Sequence, residues 1–159
     1  MNASDGAYLV PPGKAELRWL GETSTFFLAS GEQTGEAFAL VDEQARAGES
    51  VPLHRHDDVE SFYVLEGDVA FFLRGDAGAT LGAGGFVHVP RGVVHGFRMA
   101  SDKARYLTLT TPRHGRFYAA ITVPALPGGA PPSQSVDGAA IQGACAEYGI
   151  EFVGPLPDA

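Results

Sequence analysis

The chain has 159 residues, which suits one domain and is too short for two ordinary ones. Hydrophobic residues make up 45% and charged residues 19%, a balance that provides a substantial core and excludes global disorder. The net charge of −8 argues against nucleic acid or a membrane surface as partner, and the single cysteine excludes an internal disulfide or a cysteine-based zinc site. Because no apolar run approaches the length of a membrane span, the sequence predicts a soluble cytoplasmic protein.

Short apolar or alternating runs, separated by turn residues, occupy the chain from about residue 16 to residue 111. Strands at such a spacing indicate an all-β sandwich or barrel. The 21 glycines and 11 prolines are typical of the tight turns that join such strands. The predicted strands are Glu16–Leu20, Thr25–Ala29, Glu36–Asp42, Ser50–Arg55, Glu60–Leu65, Val69–Leu73, Phe86–Val89, Val93–Met99 and Arg105–Thr110.

The composition changes after the last predicted strand. Residues 123–136 are rich in proline and glycine and are predicted to form a linker without regular structure. Asp137 is a candidate N-cap for a short helix over Gly138–Tyr148, whose apolar face includes Cys145 and which Gly149 would end. The predicted organisation is an N-terminal arm (1–15), a β-barrel (16–122), the linker (123–136) and a short C-terminal helix with a tail (137–159).

Three of the five histidines stand in a pattern that suggests a metal site. His54 and His56 are two residues apart on a predicted strand, so their imidazoles project from the same face. Glu60 heads the next predicted strand, and His95 follows later in the chain. Imidazole nitrogens with one carboxylate suit a divalent transition metal. From these residues alone, a pair of surface histidines remains the alternative.

Glycine and proline residues frame these four side chains in two motifs. The motifs are Gly48-x5-His54-x-His56-x3-Glu60-x6-Gly67 and Gly84-x5-Pro90-x-Gly92-x2-His95. They resemble the paired signature motifs of the cupin superfamily; only the last position of the second motif, usually Asn, differs, because it is Met99 here. The resemblance implies a double-stranded β-helix, or jelly-roll, barrel. It also implies a metal held by His54, His56, Glu60 and His95.

Further segments resemble bacterial single-domain cupins described as quercetin 2,3-dioxygenase-like, among them Glu60–Gly67, Val87–Gly92 and Tyr148–Pro155. This resemblance implies a metal-dependent dioxygenase that reacts O₂ with a flavonol or another enolisable aromatic small molecule. Two alternatives stay open: a polyketide cyclase or isomerase that uses the metal as a Lewis acid, and a non-catalytic cupin that binds a small ligand. Analogy with small cupins also implies a homodimer.

The expected catalytic residue is Glu60, which would act as general base for a substrate hydroxyl after leaving the metal. The donor set does not choose among iron, nickel, cobalt, manganese, zinc and copper. Strand parity places a set of apolar side chains on the faces of Glu60 and His95, where they would form the substrate pocket or simply fill the barrel interior. These pocket residues are Phe62, Val64, Phe71, Val93, Phe97 and Met99.

The remaining candidates near the site are given structural interpretations. His88 is expected on the barrel wall or surface, with a place beside the pocket as the alternative. His114 falls in a basic segment after the last predicted strand and is expected to be exposed to solvent. The segment Arg113–Tyr118 would either cap the barrel mouth or pack on it. Asp58 is expected in a turn beside the site, with replacement of Glu60 as ligand as the alternative.

Overall fold

A computed structural model of the protein describes residues 6–74, 77–134 and 136–158. The predicted N-terminal arm (1–15) therefore lies partly outside the described residues. The elements are β1 (Glu16–Leu20), β2 (Thr23–Ala29), β3 (Ala39–Arg46), β4 (Ser50–Arg55), β5 (Glu60–Glu66), β6 (Val69–Leu73), β7 (Ala79–Leu81), β8 (Phe86–Val89), β9 (His95–Met99), β10 (Lys103–Thr110), α1 (Pro112–Ile121), β11 (Val123–Pro124), α2 (Gly138–Tyr148) and β12 (Glu151–Gly154).

Two antiparallel sheets form the barrel. One has the strand order β11-β1-β2-β3-β10-β5-β8, and the other has the order β12-β4-β9-β6-β7. Their inner faces meet in an aromatic core, where the ring of Phe62 on β5 lies 5.3 Å from the rings of both Phe71 on β6 and Phe97 on β9. Side chains alternate along each strand, so every second residue faces this core. The predicted all-β jelly-roll barrel is confirmed.

Most strand predictions are confirmed within a few residues, and four of them match at both ends. The prediction for Glu36–Asp42 is wrong at its start, because Glu36 adopts a left-handed backbone (φ 64°) and its N–H donates to Gly31 in a turn, which delays β3 to Ala39. β9 begins at His95 and not at Val93, since the Val93 N–H closes a turn on the Pro90 carbonyl.

Three short strands, β7, β11 and β12, were not predicted, and all lie at sheet edges. Val123 and Pro124 pair with β1, so the first two residues of the predicted linker do have regular structure. β12 pairs with β4 and so adds the predicted C-terminal tail to the sheet that carries His54. β7 and β11 have only three and two residues, which are too few side chains to show a period of two.

The predicted C-terminal helix is confirmed as α2. The Asp137 carboxylate accepts hydrogen bonds from the backbone N–H groups of Ala139 and Ala140, and Gly149 ends the helix with a left-handed φ of 69°. Cys145 is buried on its inner face, and this burial raises the pKa of its thiol. Within the described ranges, neither helix is long and apolar enough to cross a membrane.

A second helix, α1, was not predicted and packs against α2 and β3. Thr111 caps it by accepting the His114 N–H, and Pro112 occupies its first turn. A side chain at Gly115 would collide with the Cβ of Ala39, so glycine is what allows α1 to lie directly on β3. This close approach turns one face of α1 towards the barrel interior.

Candidate metal centre

The structure brings together the four residues that the motifs single out. His54, His56, Glu60 and His95 are all buried, and their ligand atoms lie within 4.8 Å of one another. His54 and His95 face each other directly across β4 and β9, with ring centroids 4.2 Å apart. Glu60 is the first residue of β5, in the other sheet. The cluster therefore depends on correct packing of both sheets.

Each of the three imidazoles is fixed by a backbone carbonyl at its Nδ1 atom. A carbonyl oxygen only accepts hydrogen bonds, so Nδ1 carries the proton and Nε2 presents its lone pair to the cluster. Such an outer hydrogen bond orients an imidazole that binds a metal. The three contacts are His54 Nδ1 to Pro52 O (2.9 Å), His56 Nδ1 to Asp58 O (3.0 Å) and His95 Nδ1 to Val93 O (2.8 Å).

The donor set fits a divalent cation. The Nε2 atoms of His56 and His95 lie 3.1 and 3.0 Å from the same Glu60 oxygen, Oε2. In neutral imidazoles with protonated Nδ1, these nitrogens and this oxygen are all acceptors, and acceptors this close repel unless a positive charge lies between them. Three imidazoles and one carboxylate can hold one divalent metal ion, and the donor atoms are nitrogen and oxygen alone.

The histidine protonation state supports the same interpretation. Burial, followed by the neighbouring His95, lowers the pKa of His54 to about 4. A metal binds the neutral imidazole, so protons compete with a cation for His54 only in strongly acidic solution.

The second carboxylate oxygen of Glu60, Oε1, is held by residues of α1. Its Oε1 atom lies 3.0 Å from Nε2 of His114 and accepts a 3.1 Å hydrogen bond from the Tyr118 hydroxyl. Burial raises the pKa of Glu60, but the surrounding imidazoles, led by the charge and the hydrogen bond of His114, outweigh burial and hold this pKa well below its usual range. Burial and the nearby Glu60 raise the pKa of Tyr118, which therefore remains a hydrogen-bond donor.

The prediction that His114 is exposed is wrong, because its exposed fraction is only 2%. Its ring stacks against His56 with centroids 4.2 Å apart. Its Nδ1 is buried without a hydrogen-bond partner among the described residues and lies 3.9 Å from Asp58 Oδ2. The sequence did contain a signal for this helix: Thr111-Pro112 is a typical N-cap and first turn.

Asp58 lies beside the cluster, but its carboxylate is already engaged. Its Oδ1 accepts a hydrogen bond from the Thr111 hydroxyl (2.6 Å), and its Oδ2 pairs with Arg113 (2.7 Å). His56, Asp58 and His114 also lie within ligand distance of one another. Since Arg113 already balances the charge of Asp58, Glu60 is the carboxylate that faces the three imidazoles.

A cavity of about 210 Å³ lies inside the barrel, next to the cluster. His54 and Glu60 line it, and α1 and α2 supply one wall. The helix α1 in this wall was not predicted, although the segment Arg113–Tyr118 was expected to cap the barrel mouth or to pack on it. The helix residues that line the cavity are His114, Phe117, Tyr118, Ile121, Ile141 and Cys145.

The predicted pocket is only partly the observed one. Phe97 and Met99 line the cavity. The other four do not line it: Phe62, Val64 and Phe71 belong to the hydrophobic core and Val93 packs against it, which is the alternative of a filled barrel interior. Strand parity identifies the inward face of a strand, but it does not say whether a position fills the closed part of the barrel or its open end.

His88 lies on the barrel surface, as expected. Its side chain is on the outer side of β8, where its Nδ1 lies 2.9 Å from the Ser61 hydroxyl on β5. It is therefore remote from the cavity and takes no part in the cluster.

Comparisons with known proteins agree with this architecture. Residues 43–110 match the family described as Cupin domain. The chain is 31% identical over 104 residues to Quercetin 2,3-dioxygenase of Bacillus subtilis, a match that covers 65% of this chain but only 31% of that longer protein.

Solved structures share the fold at lower sequence identity. The polyketide cyclase RemF from Streptomyces resistomycificus superposes with a TM-score of 0.59 at 24% identity, over 67% of this chain and 80% of that chain. An RmlC-like cupin from Shewanella frigidimarina superposes with a TM-score of 0.58 at 20% identity, over 67% and 92% of the two chains. Residues 43–110 therefore match the Cupin domain family in sequence, and the two-sheet barrel shares the fold of these solved cupin structures.

Proposed function

We propose that the protein is a metal-dependent dioxygenase in which His54, His56, Glu60 and His95 hold one divalent transition metal beside a small enolisable aromatic substrate. The observation that carries the proposal is the convergence of three oriented Nε2 atoms on the Glu60 carboxylate at the wall of a cavity. A divalent cation bound there acts as a Lewis acid that lowers the pKa of an enol or phenol. The 31% identity to Quercetin 2,3-dioxygenase supports reaction with O₂.

Glu60 is the proposed general base for the substrate hydroxyl. In the observed position its pKa is well below the usual range, and its Oε2 atom contacts His56 and His95. A carboxylate that turns towards the cavity loses these two contacts but stays buried, and burial raises its pKa. Its strength as a base therefore increases when it turns. His114 and Tyr118 hold Oε1 and limit this movement.

The role of Glu60 is tested by Glu60→Gln in metal-loaded protein, which should lower turnover by roughly 10²- to 10⁴-fold. Glu66→Gln is a matched control, because Glu66 lies on the same strand but is exposed and pairs with Lys103. The metal content of both variants is measured in parallel. Undiminished turnover of a metal-loaded Glu60→Gln variant would rule out a general base at this position.

The cavity favours a small substrate. Its volume of about 210 Å³ is below the roughly 300–1,000 Å³ of pockets that enclose drug-sized ligands. Phe97, Phe117 and Met99 supply apolar walls. Among enolisable aromatic compounds, these dimensions favour molecules of one or two rings over a three-ring flavonol.

The reaction class is tested by measuring O₂ uptake. Protein without a histidine tag is loaded separately with iron, nickel, cobalt, manganese, zinc and copper, and each form is assayed with quercetin and with catechol. The proposal predicts substrate-dependent O₂ uptake with at least one redox-active metal, and none after removal of the metal. Substrate loss without O₂ uptake would replace the dioxygenase with a cyclase or isomerase. Binding without turnover under any condition would leave a ligand-binding cupin.

We further propose that the protein is a homodimer. The outer face of the larger sheet carries a continuous apolar patch formed by Phe38, Leu40, Tyr63, Phe86 and Leu109. Contiguous exposed apolar side chains of this kind commonly mark an interface. Sedimentation velocity should give a dimer for the wild type and a monomer for Tyr63→Lys/Phe86→Lys. Leu126→Lys, at an exposed site away from the patch, should leave the dimer intact. A monomeric wild type would contradict the proposal.

A further inference from the structure

The cavity contains a second buried carboxyl group, Glu43, that the proposed reaction does not use. Glu43 lies on β3, has an exposed fraction of 6%, and lines the same cavity as Glu60. Its directly paired neighbours are Thr25 on β2 and Tyr106 on β10. Both are buried and both line the cavity as well. The three side chains therefore form one polar strip on the inner wall of the larger sheet.

No cation pairs with Glu43 in the part of the chain that the structure describes. Its Oε2 accepts a 3.1 Å hydrogen bond from the Thr108 hydroxyl. The adjacent Asp42, on the opposite face of β3, instead pairs with Arg105 at 2.6 Å. Burying an ionised carboxylate without a cation is costly, so such a group takes up a proton instead.

The surroundings of Glu43 agree with a protonated carboxyl group. The pKa of Glu43 is raised to about 8, mainly by burial. The charges of Glu60 and Asp42 also raise this pKa, whereas hydrogen bonds from Thr108 and Thr25 lower it. At neutral pH the group therefore has an O–H to donate, which an ionised carboxylate lacks. Burial and these same carboxylates also raise the pKa of Tyr106, so its hydroxyl is a second donor beside Glu43.

Glu43 and Glu60 occupy different positions along the cavity wall. Glu43 is paired with Tyr106 on β10, whereas Glu60 is paired with Thr110 on the other side of the same strand. Tyr106 and Thr110 are four residues apart on β10, which corresponds to about 13 Å between the backbone positions of Glu43 and Glu60 along the strand. A small molecule that reaches the His/Glu cluster with one end therefore extends towards Glu43 with the other.

We propose that Glu43 is a specificity-determining residue that donates a hydrogen bond to a second oxygen of the substrate, at the end remote from the metal centre. The substrate class is then a small molecule with two oxygen functions, an enolic or phenolic hydroxyl at one end and a carbonyl at the other. This inference rests on the proposed function, because it uses the same cavity and the same orientation of substrate.

The test compares two catechols that differ at the remote end, 4-methylcatechol and 3,4-dihydroxybenzaldehyde. Their dissociation constants are measured with zinc-loaded protein, because zinc is redox-inert and the assay then reports binding alone. The benzaldehyde hydroxyls are more acidic, but this difference is the same for every protein variant and cancels in the comparison. The variants are Glu43→Leu, which removes the donor, Glu43→Gln, which retains one, and Asp42→Asn as the neighbouring control.

The proposal predicts that the preference for the aldehyde falls about tenfold in Glu43→Leu and stays within about twofold of wild type in Glu43→Gln and Asp42→Asn. An unchanged preference in a folded Glu43→Leu variant would overturn the inference while leaving the proposed function intact. If zinc-loaded wild type bound neither catechol, the proposed function would fail and the inference with it.

Infrared difference spectra give a readout independent of any ligand. Wild type minus Glu43→Gln should show the carbonyl band of a protonated carboxyl group at pH 7, and Asp42→Asn should retain that band. Absence of the band from wild type would overturn the inference, since an ionised Glu43 has no proton to donate.

Discussion

Replacing Glu43 by Gln should change how the stability of the metal-free protein depends on pH. The amide has nearly the same shape as the carboxyl group but does not ionise. The pKa of Glu43 rises on folding from 4.5 to about 8, mainly through burial. The folded state therefore holds this proton more tightly than the unfolded chain does. As the pH rises from about 4.5 to about 8, this group reduces the free energy of unfolding of the wild type, and the amide variant escapes that loss.

The size of the effect follows from the two pKa values. Each unit of difference corresponds to about 1.4 kcal/mol. The shift from 4.5 to about 8 therefore amounts to roughly 5 kcal/mol above pH 8, and to roughly 3 kcal/mol at pH 7. No discount for solvent screening applies, because the side chain is almost fully buried.

Urea unfolding of both proteins at pH 5, 6, 7 and 8, with a chelator present, measures this difference. Other titrating groups, including His54, contribute equally to both proteins and cancel in the comparison. The stability of Glu43→Gln relative to wild type should increase steadily across this range. A difference that does not vary with pH would refute the argument, because it would show that Glu43 ionises at its ordinary pKa in the folded state.

Three further substitutions test the core, the cap of helix α2 and the support of Glu60 by His114. Phe97→Ala should lower the free energy of unfolding by about 3–5 kcal/mol, whereas Leu126→Ala, at a surface site that is 49% exposed, should change it by less than about 0.5 kcal/mol. Equal effects would contradict the assigned core. Asp137→Ala should destabilise the protein by about 1 kcal/mol through loss of the α2 cap, and a neutral result would show that the cap contributes nothing. His114→Leu should weaken metal binding by about 10- to 100-fold in a chelator competition assay, with the exposed Arg116→Ala unchanged; unaltered affinity would show that His114 does not support Glu60.

Part of the cluster could be predicted from local backbone geometry. His54 and His56 share one face of β4, which follows from the two-residue period of a strand. The glycine at position 48 has a left-handed φ of 91°, and it allows the turn that brings the chain into β4. The grouping of these residues with Glu60 and His95 depends on the packing of both sheets, and it was expected from the resemblance of the two motifs to those of cupins.

The burial of His114 could not be predicted in the same way, because it results from a tertiary contact. Gly115 lies inside α1, where glycine has a low helix propensity, so the basic segment looks like a loop. The same glycine allows α1 to lie against Ala39, and this contact brings His114 to Glu60. Packing thus outweighs local preference at this position.

Glu43 was missed for a related reason. The strand that contains it was predicted to end at Asp42, which left Glu43 outside every predicted strand. In the structure β3 pairs with β10 as far as Arg46, and Glu43 lies on its inward face. A displacement of a few residues at a strand boundary therefore decides whether a carboxylate is assigned to solvent or to the cavity.

The metal content of untagged protein tests the central claim most directly. After loading with a divalent metal and exhaustive dialysis, elemental analysis should find one metal ion per chain in the wild type. The double variant His54→Ala/His95→Ala should retain less than about 0.1 equivalent, because half of the donor set is removed. His88→Ala, on the outer face of β8, should still bind one ion. A wild type that binds no metal, or a double variant that retains a full equivalent, would contradict the assignment of this cluster as the metal centre.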